Sequence, residues 1–384
     1  MRLLYLVHDL NHADIARRVE LLQAGGAEVV LAGFHRKEEV DPGVANVVAP
    51  LGRTRDGAFL QRIVQVVRAA MGLGRLRGVT AGCDAVLARN LEMLLLGVLV
   101  RARLLRAAPL TYECLDIHRL MTGRGLVGRA LRRLEGDLMR RCQCLVTSSP
   151  GFVSEYFAKL YRVLPRVILV ENKVFPALEG ARAAPQPLPD GPPWRIGWFG
   201  VIRCRRSLEI LSDLAAAAPG LIEVVVSGRP AKAVFGDVEA AFADRPGVTF
   251  VGGFADEAAL AAHFRSVHFA WAMDFYEAGA NSDWLLPNRL YRAVYYGAVP
   301  IALSGVETGR WLAGRGLGLR VDTATSETLR HALEQTGPDA FATMRAALGA
   351  VPTADLVTLD AECREIVCAL AGTARRGAAG ADED

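Results

Sequence analysis

Strand-length apolar runs alternate with helix-length amphipathic segments along the chain, stop at one proline-rich interval, and then begin again. That interrupted alternation is the strongest restriction on the fold. LLYLV (3–7) is apolar throughout, as a strand covered on both faces must be. Residues 13–24 follow with helical spacing, Gly25-Gly26 end the helix, and AEVVLAGF opens the next strand. AVLAR (85–89), PLTYEC (109–114), CLVTSS (144–149) and VILVEN (167–172) continue the series, with helical segments between them. Repetition of this kind builds a parallel, doubly wound sheet. Residues 177–193, ALEGARAAPQPLPDGPP, then carry five prolines and no apolar period, the composition of a linker. After them WRIGWFG (194–200), IEVVVSG (222–228), VTFVGGF (248–254), HFAWAM (268–273) and VPIAL (299–303) restart the pattern.

The expected architecture is α/β, with two Rossmann-like doubly wound parallel-sheet domains over 1–176 and 194–352. The linker 177–193 joins them, a helix covers 353–370, and a small polar tail, 371–384, is left without structure. A length of 384 residues suits two cores better than one. Ligands of open α/β sheets bind outside the carboxyl ends of the strands, so two hinged sheets are expected to face a cleft.

Composition removes several classes of function. The seven cysteines are odd in number and lack CxxC spacing, which argues against a disulfide framework or a zinc site. LEMLLLGVLV (91–100) is half as long as the roughly 20 residues of a membrane span and is expected as a buried helix. MRLLYLVHDL meets charge too soon for a signal peptide and reads as a first strand, so the expected location is cytoplasmic. Residues 1–176 carry 26 Lys+Arg against 16 Asp+Glu, whereas residues 177–384 carry 19 against 25. The first half should therefore meet something anionic. Its arginines (Arg101, Arg103, Arg106; Arg124, Arg129, Arg132, Arg133; Arg140, Arg141) lack aromatic interleaving or any nucleic-acid signature. An anionic membrane surface, met peripherally on the cytoplasmic face, is the expected partner, and nucleic acid is not.

Three stretches of the second half point to a phosphate. GWFGVIRCRRS sets Gly200 at the end of a strand, with Arg203, Arg205 and Arg206 just before a helix. Glycine lets the backbone approach an anion, the helix N-terminus contributes about half a positive charge, and guanidinium forks match phosphate oxygens. SGRP repeats the theme with Gly228 and Arg229. LLPNRLYRAVYYGAVPI (285–301) does so again: Pro287 opens a helix carrying Asn288, Arg289 and Arg292, and Gly297 closes it. Together they fit a diphosphate. A nicotinamide-cofactor domain would need glycines after the first strand, where HDLNHAD has none. The nucleotide is therefore assigned to the second domain and an acceptor to the first.

On these residues the chain resembles a known family. VTFVGGFADEAALAAHFRSVHFAWAM and NSDWLLPNRLYRAVYYGAVPIAL are similar to the donor domain of GT-B glycosyltransferases. ARRVELLQAGGAEVVLAGFHR and TYECLDIHRLM with ALRRLEGDLMRRCQCLVTSSPGF resemble the acceptor domain of bacterial exopolysaccharide, succinoglycan-type glucosyltransferases. The resemblance implies transfer of a hexose from a nucleotide diphosphate sugar, first of all a UDP-sugar, to a polyprenyl-diphosphate-linked glycan. It implies no further cofactor. The chain departs from the family where retaining members place two glutamates eight positions apart, because Trp284 and Arg292 stand there. An inverting displacement is the expectation instead, with a base from the acceptor domain. Asp116 in ECLDIH is the first candidate, His118 the second, and Glu113 an orienting group. Asp9 and His12 are assigned to acceptor contacts, and Ser282 and Asn288 to the donor. No DxD motif follows a strand of the second half, so no metal is expected and Arg203, Arg206 and Arg292 are assigned the leaving diphosphate. The alternatives are a sugar-nucleotide epimerase on the same scaffold and a non-catalytic partner subunit.

Overall fold

In the computed structural model the apolar runs of the first half become one sheet of seven parallel strands. These are β1 (Arg2–Val7), β2 (Glu28–His35), β3 (Val47–Arg53), β4 (Ala85–Arg89), β5 (Leu110–Glu113), β6 (Cys144–Thr147) and β7 (Arg166–Leu169). They lie in the order β3-β2-β1-β4-β5-β6-β7, which reverses direction between β1 and β4. The second sheet has β8 (Trp194–Ile202), β9 (Ile222–Pro230), β10 (Val248–Phe250), β11 (Phe269–Trp271), β12 (Val299–Leu303) and β13 (Leu319–Val321). Its order, β10-β9-β8-β11-β12-β13, reverses between β8 and β11. Two doubly wound parallel sheets are thus present, as the alternating pattern requires. The structure describes residues 1–36, 45–54, 59–178, 182, 188–189 and 191–372; most of the linker 177–193 and of the tail 371–384 lies outside them.

Each sheet forms the centre of its own compact unit. One unit contains Met1–Ser149, Val153–Val170 and the chain from Leu359; the other contains Pro150–Phe152 and Glu171–Thr358. In the first, Leu3, Leu4, Tyr5, Leu6 and Val7 are completely buried, the expected outcome for a strand with helices on both faces. The helix Leu91–Arg103 buries Met93, Leu94, Leu96, Val98 and Val100 against this sheet. The helix Leu126–Met139 is anchored by Glu135, whose buried carboxylate accepts hydrogen bonds from the hydroxyls of Tyr112 (2.8 Å), Tyr156 (2.8 Å) and Tyr161 (2.5 Å).

The expected helix 353–370 is instead two helices, Thr353–Leu356 and Asp360–Leu370. Extended backbone separates them: Val357 forms a parallel bridge with Val174, and Thr358 N–H donates to the Val174 carbonyl at 3.1 Å. The second helix belongs to the first unit and packs so closely on the helix Ala13–Ala24 that a Cβ at Gly25 would lie 2.3 Å from the Cys363 carbonyl oxygen. Two edge strands, β3 and β13, lack the apolar pattern of the central strands. β3 contains Pro50 and Gly52 and has no buried residue, which an edge position tolerates.

Candidate functional site

The reversal point of the second sheet brings together three charged side chains from three segments. Arg203 follows β8 directly, Asp274 stands three residues after β11, and Arg289 is the second residue of the helix Asn288–Tyr296. Arg203 Nη2 lies 3.3 Å from Asp274 Oδ2, and Arg289 Nη2 approaches the same oxygen at 4.0 Å. The other carboxylate oxygen accepts the Tyr276 N–H at 2.8 Å and the Ser282 hydroxyl at 3.1 Å. The Asp274 side chain is only 4% exposed. Burial alone would raise its pKa, but Arg289, Arg203 and these hydrogen bonds hold it below the usual carboxylate range. Asp274 is therefore ionised at neutral pH.

Arg289 is under opposite stress. Burial pulls its guanidinium below its ordinary pKa, Asp274 resists the shift, and Arg203 adds to it. Its Nη1 is buried without a hydrogen-bond partner. Arg206 lies over the Phe275 ring at 4.5 Å, and Arg203 over Tyr276 at 5.1 Å. The 13-residue helix Arg205–Ala217 begins beside them, its N-cap Cys204 accepting the Ser207 N–H at 3.4 Å. Its aligned amides add about half a positive charge. Arg203 and Arg289 thus share the single carboxylate of Asp274, with Arg206 stacked on the neighbouring Phe275, while Glu277 is bound by the Asn281 amide. The surplus is cationic, and an anionic ligand with several oxygens satisfies it.

The other residues singled out for the donor fall in different places. Gly200 and Gly228 are register partners on β8 and β9, with φ of 106° and 146°. A Cβ on Gly228 would sit 1.9 Å from the Gly200 carbonyl oxygen, so close backbone packing already requires glycine there. Arg229 is exposed at the end of β9. Ser282 is buried, donating to Asp274 and accepting the Glu277 N–H at 2.9 Å, and so shapes the loop between them. Asn288 is the first residue of its helix, next to Arg289, and is half-buried.

Arg292 does not join Arg203 and Arg289. Its Nε and Nη2 fork onto Glu257 at 2.6 and 2.7 Å, and the Tyr296 hydroxyl donates to the same carboxylate at 3.0 Å. Three residues along a helix is about 4.5 Å of rise, enough to carry Arg292 away from the strand ends and into the packing against the helix Glu257–Arg265. With seven of nine residues of Asn288–Tyr296 buried, a charge there must find a buried counter-charge. Arg292 is thus held by Glu257 away from the Arg203–Asp274–Arg289 cluster, where the sequence had placed it together with Arg289.

In the first unit Glu113 is completely buried. Arg18 Nε lies 2.8 Å and Arg89 Nε 3.8 Å from its carboxylate, and the Tyr5 hydroxyl donates to it at 2.5 Å. It is an interior counter-ion beneath the β1/β4 reversal, not a group at the rim. Asp116 and His118 are exposed on the loop after β5. His118 is the N-cap of the helix Arg119–Thr122, its Nδ1 accepting the Leu120 N–H at 3.3 Å. In the neutral ring that leaves Nε2 protonated, a donor and not a base. Asp9, nearly buried, pairs with Arg36 at 3.3 Å and accepts the Asn11 N–H at 3.2 Å. His12 caps the helix Ala13–Ala24 through Asp14 N–H. Among the described residues, no group of three His, Cys, Asp or Glu is placed to hold a metal ion, and no helix is long and apolar enough to cross a membrane.

Asp274 was absent from the sequence reading. The signal for it was a charge placed just after the apolar run HFAWAM, where an open α/β sheet presents its ligand-binding rim.

No protein-family profile matches the sequence. The succinoglycan biosynthesis protein ExoL of Rhizobium meliloti (strain 1021) is 42% identical over 347 residues, 89% of this chain and 86% of that protein. Sucrose-phosphate synthase from Thermosynechococcus elongatus superposes with a TM-score of 0.70 at 15% identity, over 95% of this chain and 97% of that one. Anabaena HepE, solved in complex with UDP and glucose, superposes with a TM-score of 0.65 at 15% identity, over 97% and 100% of the two chains. The chain belongs to the family of the succinoglycan biosynthesis protein ExoL and is built on the GT-B glycosyltransferase fold.

Proposed function

We propose that the protein is a glycosyltransferase of exopolysaccharide synthesis, moving a hexose from a UDP-sugar to a lipid-linked oligosaccharide. The observation that carries this reading is the convergence of Arg203 and Arg289 on Asp274 at the reversal point of the second sheet, with Arg206 and a helix N-terminus beside them. A diphosphate leaving group needs stabilisation where its charge develops, and fixed guanidinium groups provide it without a metal. The complex of HepE with UDP and glucose supports the choice of donor, and membership of the ExoL family supports the choice of pathway.

In the proposed step Asp116 takes the proton of the acceptor hydroxyl. The freed oxygen attacks the anomeric carbon, and the bond from that carbon to the diphosphate oxygen breaks with inversion. The electron pair stays on the diphosphate, next to Arg203 and Arg289. The lipid-linked acceptor and an anionic cytoplasmic membrane face fit the basic first half. There Leu126 and Val127 are 76% and 56% exposed, with exposed Arg124, Arg129 and Arg133 in the same segment.

Thermal-shift or calorimetric titration with UDP, GDP, dTDP and their sugars tests the donor, and UDP or a UDP-sugar is expected to bind. If none of these nucleotides binds, the transferase reading fails. Asp116→Asn is expected to abolish transfer and leave UDP affinity unchanged; transfer at the parent rate removes the base assignment. Equal co-sedimentation with neutral and anionic vesicles removes the membrane face.

A further inference from the structure

The first unit has a second cationic concavity, at the opposite end of its sheet from the ligand-binding rim. A shallow, largely open cavity of about 510 Å³ lies where the chain enters β5 and β6, lined by Arg101, Arg106, Arg140, Arg141 and Gln143, with Gly372 at its edge. This volume lies within the roughly 300–1,000 Å³ of small-ligand sites. Among the described residues no carboxylate lines it.

The bland account is that these arginines neutralise helix ends. The helices Leu91–Arg103, Leu126–Met139 and Asp360–Leu370 all end here, each presenting about half a negative charge. Together with Asp137, which pairs with Arg140, they offset fewer than three of the four guanidinium charges. Two arginines are accounted for structurally: Arg140 through Asp137, and Arg101 through a 2.8 Å bond from Nη1 to the Arg141 carbonyl oxygen. The side chains of Arg106 and Arg141 have no ion pair or hydrogen bond among the described residues. Gly372, at φ 77°, lets the chain pass so near the Gln143 amide that a Cβ would lie 3.0 Å from it. Glu135 and its three tyrosines anchor the helix Leu126–Met139, which leads directly into the exposed Arg140 and Arg141.

We propose that this cavity binds a phosphate or diphosphate group, with Arg106 and Arg141 as its principal ligands. The group comes either from a soluble phosphate compound or from a phospholipid headgroup. The site is separate from the donor site proposed at Arg203 and Arg289 and does not depend on it.

The test uses the full chain, an Arg106→Ala/Arg141→Ala variant, and an Arg75→Ala/Arg77→Ala control with the same loss of charge. Inorganic pyrophosphate is titrated calorimetrically with UDP in excess, and vesicles of phosphatidylcholine with and without phosphatidylglycerol are sedimented. Loss of the cavity arginines is expected to weaken pyrophosphate binding about tenfold or more, with the control unchanged. A loss confined to phosphatidylglycerol vesicles, without competition from pyrophosphate, assigns the cavity to a headgroup and also supports it. Equal binding by the cavity variant and the parent to both probes overturns the proposal, as does an equal loss in the control.

Discussion

Glu113→Ala is expected to destabilise the first unit by about 3–5 kcal/mol, read as a lower midpoint in urea denaturation. The carboxylate is completely buried, and its removal leaves the Arg18 and Arg89 guanidinium groups in the interior without their counter-ion. The Tyr5 hydroxyl loses its acceptor as well. Desolvation makes the effect large: a broken buried pair costs far more than an exposed one, because the abandoned charge has no water to turn to. Removing Arg89 together with Glu113 is expected to recover part of the loss, since it takes out one of the stranded charges. A Glu113→Ala protein of parental stability but without activity would restore the orienting role that its place in ECLDIH first suggested.

Arg289→Ala is expected to weaken UDP binding about ten- to a hundredfold, the range for losing hydrogen bonds from a charged donor to an anion. Arg292→Ala, three residues along the same helix, is expected to do the reverse, lowering stability while UDP affinity stays near that of the parent. The contrast follows from their partners. Arg289 approaches Asp274 only at 4.0 Å and has a buried Nη1 without a partner, whereas Arg292 is held by both oxygens of Glu257. Isothermal titration together with thermal denaturation of both variants separates the two effects. If Arg292→Ala loses the nucleotide and Arg289→Ala keeps it, the site as drawn is wrong.

The central strands were legible because a strand covered on both faces carries a continuous apolar run, as β1 does over 3–7 and β4 over 85–88. The edge strands β3 and β13 were not, since an edge needs only partial burial and tolerates Pro50 and Gly52. The helix Asn288–Tyr296 could be read at both ends. Pro287 is the N-cap, and Gly297 closes the helix in the left-handed conformation at φ 87° that glycine adopts without strain.

The order of residues alone determined two doubly wound sheets, a concentration of arginines at the strand ends of the second, and an excess of positive charge in the first. These are local properties: period, caps and composition act over a few residues and need no partner from elsewhere. Only the tertiary structure decided which carboxylate each arginine meets. Arg292 meets a glutamate 35 residues away and Arg203 an aspartate 71 residues away, and no local pattern encodes those separations. The same holds for Glu113, where burial against Arg18 and Arg89 turned a carboxylate at a strand end into a structural counter-ion. Charge pairing is settled by proximity after packing, because the low-dielectric interior penalises any charge the fold leaves alone.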